Sequence, residues 1–324
     1  MSRLIQTLSF ALVLSTGCHS LTSPQFYIHE REDLPPVHLA VSPHCGFFGG
    51  PVADINAGID LGSIKTIVSF GDSFTDGGRD DGSPLLPAVI NPPDPFAGGR
   101  SANGPVWVEH VAGSVGATLM DYAQSAACTD LALWPSNPKP VDFVGQANTF
   151  LGQGHSLDPA TTLYSIFFGI NDWIASQTDG SDRLQNASRV VLDKIDLLSG
   201  APTNGRSFLV LDVYGRGQHT PEGEGWKQTI YDGLAERHAQ TGLSVAFVDF
   251  ATIWDAVLDV PDGYRKFGYV STAACANDCT DCNEYGWCKD PDHWFSWFGG
   301  HPSNVTHGLM GEYVLDVLSE CRVL

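Results

Sequence analysis

An α/β fold with about five parallel strands sandwiched between two helical layers is what this sequence predicts, on three observations. Short apolar runs rich in β-branched and aromatic residues alternate with longer amphipathic stretches, the pattern of βαβ units whose parallel sheet is covered on both faces. Two of these runs stop at a Gly followed within two residues by a small polar side chain, which delivers that side chain to the carboxyl end of a buried strand. No internal repeat or low-complexity tract breaks the alternation. With 324 residues, 43% of them hydrophobic, the chain has ample core for one large domain or two small ones.

Taken in order, residues 1–20 carry one basic residue (Arg3), an apolar run (Leu8 to Leu14) and then small residues. They read as a secretory signal peptide cleaved between Gly17 and Ser20. Cys18 as a lipid anchor is the weaker reading, because Ser15 stands where an aliphatic residue belongs. No segment is long and apolar enough for a membrane span. Residues 21–64, with scattered Pro and Gly and little periodicity, are expected to be an irregular segment wrapping the domain at 65–324. Strands are expected at 66–70, near 117–121, and at 163–168, 207–213 and 244–250. Helices are expected near 105–113, 142–152, 187–199 and 226–241, with a last one at 304–319. The Cys- and Trp-rich stretch 275–300 reads as an insertion before that last helix.

The net charge of −20 repels phosphate backbones and argues against a nucleic-acid partner. Of eight cysteines, four cluster at Cys275, Cys279, Cys282 and Cys288. In an exported chain such a cluster reads as a disulfide-pinned loop, with zinc at the CxxC of Cys279–Cys282 as the lesser alternative. Cleavage beyond Cys18 leaves an odd count and so one free thiol. The sequons at Asn186 and Asn304 suit a secretory route. No cofactor or metal is expected, and the chain is expected to be a secreted monomer.

The most informative stretch is Thr66 to Gly78, TIVSFGDSFTDGG, where a buried strand hands Ser73 to a turn. Three further blocks follow in order: GRSANGPVWVEHVA from Gly99 to Ala112, Phe168-Gly169-Ile170-Asn171-Asp172 after a strand, and Gly300-His301-Pro302-Ser303 before the last helix. Ser73 needs a base to become a nucleophile, and His301 is placed to supply it. A tetrahedral oxyanion needs donors, and the backbone N–H groups of Ser73 and Gly104 with the Asn171 amide make three. Singly, Gly104 and Asn171 read as turn residues; the ordered set favours chemistry. Asp72 and Asp76 read as hydrogen-bonding residues of the turn.

From about residue 64 onward these four blocks resemble the GDSL, or SGNH, family of hydrolases. The segment Tyr122 to Cys128 and the run NGPVWVEHVA most resemble its secreted fungal carbohydrate acetylesterases. The resemblance implies Ser73 as nucleophile, His301 as base and Ser73, Gly104 and Asn171 as the oxyanion hole. One position departs: the family's aspartate three residues before the histidine is Phe298 here. A competing frame, Asp290-Pro291-Asp292-His293, has the D-x-x-H spacing but lacks the following proline and helix. The partner of His301 is then a backbone carbonyl, Asp292 or another carboxylate. His307 reads as a surface residue. Trp287, Trp294 and Trp297 read as core of a small disulfide loop, with a sugar-stacking surface as the alternative.

These readings imply a secreted serine esterase that removes acetyl groups from sugars or oligosaccharides. The alternatives are a lipase on longer acyl chains and an inactive glycan-binding relative, the latter motivated by Phe298. A cysteine-based metal hydrolase lacks His and carboxylate ligands for an open site.

Overall fold

Side-chain alternation along each apolar run decides the layering. In the computed structural model, which describes residues 34–90, 97–276, 278–280 and 282–323, Ile67, Leu163, Leu209 and Ala246 pack into one apolar cluster. Their neighbours Val68, Tyr164, Phe208 and Val245 pack into another on the opposite face. Both faces are apolar because helices cover both. The stretch expected to be a signal peptide, with Cys18, lies outside the described residues.

The sheet and its helices run β1 (Ile55–Ala57), β2 (Thr66–Gly71), α1 (Trp107–Val115), β3 (Thr118–Asp121), α2 (Phe143–Gly152), β4 (Thr162–Phe167), α3 (Ile170–Asp179), α4 (Leu184–Ser199), β5 (Ser207–Asp212), α5 (Pro221–Thr241), β6 (Ser244–Asp249), α6 (Ala251–Leu258) and α7 (Gly263–Lys266). A smaller sheet, β7 (Ser271–Ala274), β8 (Trp294–Phe298) and β9 (His301–Pro302), precedes α8 (Asn304–Glu320). The large sheet has six strands in the order β1-β6-β5-β4-β2-β3. Five are parallel, as expected; β1 adds an antiparallel edge against β6. That edge strand comes from the stretch expected to be irregular. At three residues it is too short to show an alternation. It is held instead by Asn56, whose side-chain amide donates to the carbonyls of Ile59 and Leu318, and by the nearby disulfide Cys45–Cys321.

The cysteine cluster forms two disulfides, Cys275–Cys288 and Cys279–Cys282. All four thiols are consumed, which removes the zinc alternative. Cys128 is the free cysteine among the described residues, and it is buried. Around Cys275–Cys288 a small separate core packs Trp287 and Trp297, 4% and 0% exposed. Those two rings serve the loop's interior and offer no face to a sugar. α8 lies along α1 beneath the first core cluster, and β9 delivers His301 to the rim where β2 ends.

Candidate active site

Ser73 sits one residue beyond Asp72, whose side chain builds the turn. Asp72 Oδ1 accepts from the Phe74 N–H at 3.0 Å, and its carbonyl accepts from Thr75 and Asp76. From α2, the buried Gln146 clamps the strand end with two bonds to the Gly71 backbone, accepting from its N–H at 3.1 Å and donating to its carbonyl at 2.8 Å. Asp76 turns to the next loop, where Oδ2 accepts from the Ser125 N–H and hydroxyl. Both aspartates act in the turn by hydrogen bonding, as the sequence suggested.

His301 Nε2 lies 2.9 Å from Ser73 Oγ. Its Nδ1 lies 3.2 Å from the Phe298 carbonyl. A carbonyl only accepts, so Nδ1 carries the proton and Nε2 presents its lone pair to the serine. The Phe298 ring stacks on the imidazole, with centroids 4.7 Å apart and planes at 21°. Phe298 therefore supplies orientation twice, by its carbonyl and by its ring. Asp292 is exposed on the turn before β8. The competing D-x-x-H frame closes on itself: His293 Nδ1 is 3.0 Å from Asp290 Oδ2 and its Nε2 is 3.1 Å from the Pro35 carbonyl.

Burial, then the nearby Arg216 guanidinium, push the His301 imidazole down to about 4, against the opposing pull of the Phe298 and Gly299 carbonyls. Burial pushes Asp72 up to about 7, opposed by the Phe74 N–H and by Arg216 and reinforced by Asp172.

Asn171 stands in the first turn of α3, and its Nδ2 lies 3.0 Å from both Asp72 Oδ2 and the Ala127 carbonyl. Gly104 comes from the loop before α1. That loop is pinned by the buried Arg100, which makes two 2.8 Å bonds to the Glu109 carboxylate. It is tied to the Ser73 turn by Trp107 Nε1, which donates to Thr75 Oγ1 at 3.1 Å. A Cβ on Gly104 would lie 2.5 Å from Asn304 Cγ, so only glycine fits beneath α8. Among the described residues the N–H groups of Ser73 and Gly104 have no acceptor. They are the donors this rim leaves unspent.

One expectation on α8 is corrected. His307 is fully buried, not a surface residue. Its Nδ1 accepts from the Trp107 N–H at 3.2 Å, because α8 turns that face onto α1. Asn304 packs against Gly104 and its N–H donates to Asn103 Oδ1, while Thr306 of the same sequon is buried. Of the two sequon asparagines, Asn186 is the exposed one.

Sequence reasoning missed Arg100, Gln146 and Arg216. Arg100 had a signal in Glu109, the acidic residue in the first turn of the helix that follows its loop. Gln146 and Arg216 had none, since their partners are 75 and 83 residues away.

The GDSL-like lipase/acylhydrolase family model matches residues 67–314, which include every block that builds this rim. The chain belongs to the GDSL-like lipase/acylhydrolase family. Within reach of that assignment is an acetylesterase of Hypocrea jecorina, 33% identical over 127 residues. That alignment spans 34% of this chain and 35% of the relative, about a third of its length. A family two carbohydrate esterase from Clostridium thermocellum, solved in complex with cellohexaose, is 16% identical with a TM-score of 0.45. It covers 77% of this chain and 62% of that one. A carbohydrate esterase family 2 enzyme of Corynascus thermopiles (Myceliophthora fergusii) is 14% identical with a TM-score of 0.44, covering 79% of this chain and 66% of that one.

Proposed function

We propose that this GDSL-family protein is a secreted serine esterase removing short acyl groups, foremost acetyl, from carbohydrates. The observation that carries the reading is the 2.9 Å contact from His301 Nε2 to Ser73 Oγ, with Nδ1 held by a carbonyl. Ser73 Oγ attacks the ester carbonyl and its proton passes to His301 Nε2. The Ser73 and Gly104 N–H groups receive the oxyanion. Asn171 joins them by turning the hydrogen now spent on the Ala127 carbonyl. Collapse of the intermediate expels the sugar hydroxyl, which takes the proton from His301, and water then repeats the sequence on the acyl-serine.

A peptide carbonyl stabilises the imidazolium less than a carboxylate does, yet it fixes the same tautomer and ring orientation that a triad acid would. This weakens the inactive-binder alternative, which rested on Phe298. Three disulfides support an oxidising, extracellular compartment.

A steady-state series of 4-nitrophenyl esters tests the reading. Wild type should hydrolyse acetate with higher kcat/KM than octanoate, and Ser73→Ala should abolish both. A preference for octanoate would make the protein a lipase; no Ser73-dependent turnover of any ester would leave the binder.

A further inference from the structure

Beside the dyad lies a cleft of about 360 Å³ whose lining includes Trp173, Arg216, Gln218, Trp254, Phe295 and Gly300. Gly300 precedes His301, and Arg216 of the lining lies close enough to act on the His301 imidazole, which sets the cleft beside that ring. Arg216 is its cation, in a chain whose net charge is −20. It sits in the turn after β5 with φ +52°, an unusual backbone state for a side chain of that size. Its guanidinium lies against Gly300, where a Cβ would come within 2.8 Å of Nη1.

What Arg216 bonds to is little. Nη1 reaches the Gly299 carbonyl at a long 3.4 Å, and no carboxylate of the described residues forms an ion pair with it. The negative charge it feels is that of Asp72, whose two oxygens already serve Phe74 and Asn171. A guanidinium has five N–H donors in a planar fork that matches a carboxylate. Burying such a group half out of water without an ionic partner is costly unless something supplies one. A strut for the Gly299–Gly300 turn would need only the one weak bond.

Building on the esterase reading above, we propose that Arg216 makes this cleft a subsite for a carboxylate-bearing pyranose, so that the preferred substrate is an O-acetylated uronic acid. The carboxylate docks on the Arg216 fork, Gln218 contributes polar contact, and Trp173, the half-buried aromatic of the lining, faces the sugar ring; Trp254 and Phe295 are core that only floors the cleft. The ester is thereby held beside Ser73.

The test compares two matched probes, the mono-O-acetylated methyl glucuronoside and methyl glucoside, which differ at C6 alone. Wild type should favour the glucuronoside in kcat/KM at least tenfold, as a charge-assisted bidentate contact implies. Arg216→Gln should collapse that ratio toward one, and Arg216→Lys should retain part of it. A parallel arm measures calorimetric binding of the deacetylated methyl glycosides to Ser73→Ala, where turnover plays no part. There the glucuronoside should bind about tenfold tighter, and adding Arg216→Gln should erase the difference. Equal binding of the two glycosides, or an equal loss on both substrates in Arg216→Gln, overturns the subsite and leaves Arg216 a strut. A binding difference without turnover of any ester keeps the subsite and refutes the esterase. Turnover with no charge preference does the reverse.

Discussion

The proposed nucleophile, Ser73, and its proposed base, His301, are held by two different kinds of structure. Ser73 follows β2, a strand flanked by β3 and β4 in the large sheet and buried on both faces. His301 lies on β9, two residues long, at the edge of a small sheet whose own core is Trp287, Trp297 and the disulfide Cys275–Cys288. The first position is fixed by the hydrophobic core of the whole domain. The second is fixed chiefly by a covalent staple, a stacked phenyl ring and one carbonyl, with Phe74 and Phe295 tying it to the large core. The site should therefore fail at the histidine before the fold fails.

The largest effects mark the two ends of the contact. Ser73→Ala and His301→Ala should each lower kcat by at least about a thousandfold, and the double variant by little more, because the pair acts as a unit. His293→Ala should stay within about threefold, since its partners are Asp290 and Pro35. A dead His293→Ala with an active His301→Ala would move the base into the other frame.

Next come the two disulfides, which separate the regions. Replacing Cys275 and Cys288 by Ser should cut kcat about tenfold or more while the far-UV signal of the large sheet stays native. The loop closed there is short, and its loss costs about 3 kcal/mol in the chain-entropy picture. Replacing Cys45 and Cys321 opens a loop with a sequence separation of 276. It should lower Tm much further, by roughly 5 kcal/mol of stability, with kcat at 25 °C nearly unchanged. Equal activity losses in the two variants would erase the distinction between the regions.

Acid tolerance sharpens it further. The base must be neutral, so kcat/KM should fall as pH drops through about 4, where His301 protonates in the free enzyme. Asp290→Asn and Asp292→Asn should leave that profile in place. Phe298→Asp should move the acid limb upward by placing a carboxylate at the imidazole. An acid limb near 6.5 in the wild type would mean that His301 is not desolvated as the structure has it.

The smallest effect lies in the large sheet. Burial raises Asp72 to about 7 and Asp54 and Asp172 to about 6. A carboxyl raised in the folded state contributes stability that is complete below its unfolded value near 4 and lost as pH rises through 6 to 7. His301, depressed to about 4, contributes stability that is complete above 6.5 and lost as pH falls through 4. Between pH 8 and 6.5 the raised carboxyls, Asp121 and Asp212 among them, outweigh the buried His110, His301 and His307, whose depressed imidazoles pull the other way as the unfolded chain begins to protonate. The protein should gain on the order of 1 kcal/mol across that window, seen as a rising Tm. A falling Tm would contradict the burial of these groups.

The same division explains what was legible in the sequence. Of the five parallel strands, β2, β4, β5 and β6 were readable because burial on both faces makes their runs apolar throughout; the edge strand β3 is only partly buried. β1 and β9 were not, being too short for an alternation to register, and β7 and β8 lie in and beside a stretch whose Cys and Trp content reads as an insertion. α6 begins two residues after β6 with no Gly or Pro between, so nothing punctuates strand from helix. α3 starts directly on Ile170, inside a block read for its chemistry. Ser73, Gly104, Asn171 and His301 were readable as an ordered set of turn residues. That Phe298 replaces a carboxylate with its own carbonyl was one of three options left open, because a backbone acceptor carries no residue signature. Arg216 was invisible, since its placement depends on a turn in one region meeting a glycine in the other.

Covalent capture tests the pairing of the two regions most directly. The protein is treated with diethyl 4-nitrophenyl phosphate and the adduct is located by peptide mass spectrometry. A single diethylphosphoryl group on Ser73 is expected, with a labelling rate that drops by orders of magnitude in His301→Ala and is unchanged in Asp290→Asn and Asp292→Asn. Labelling at another residue, or at an undiminished rate without His301, would contradict the dyad.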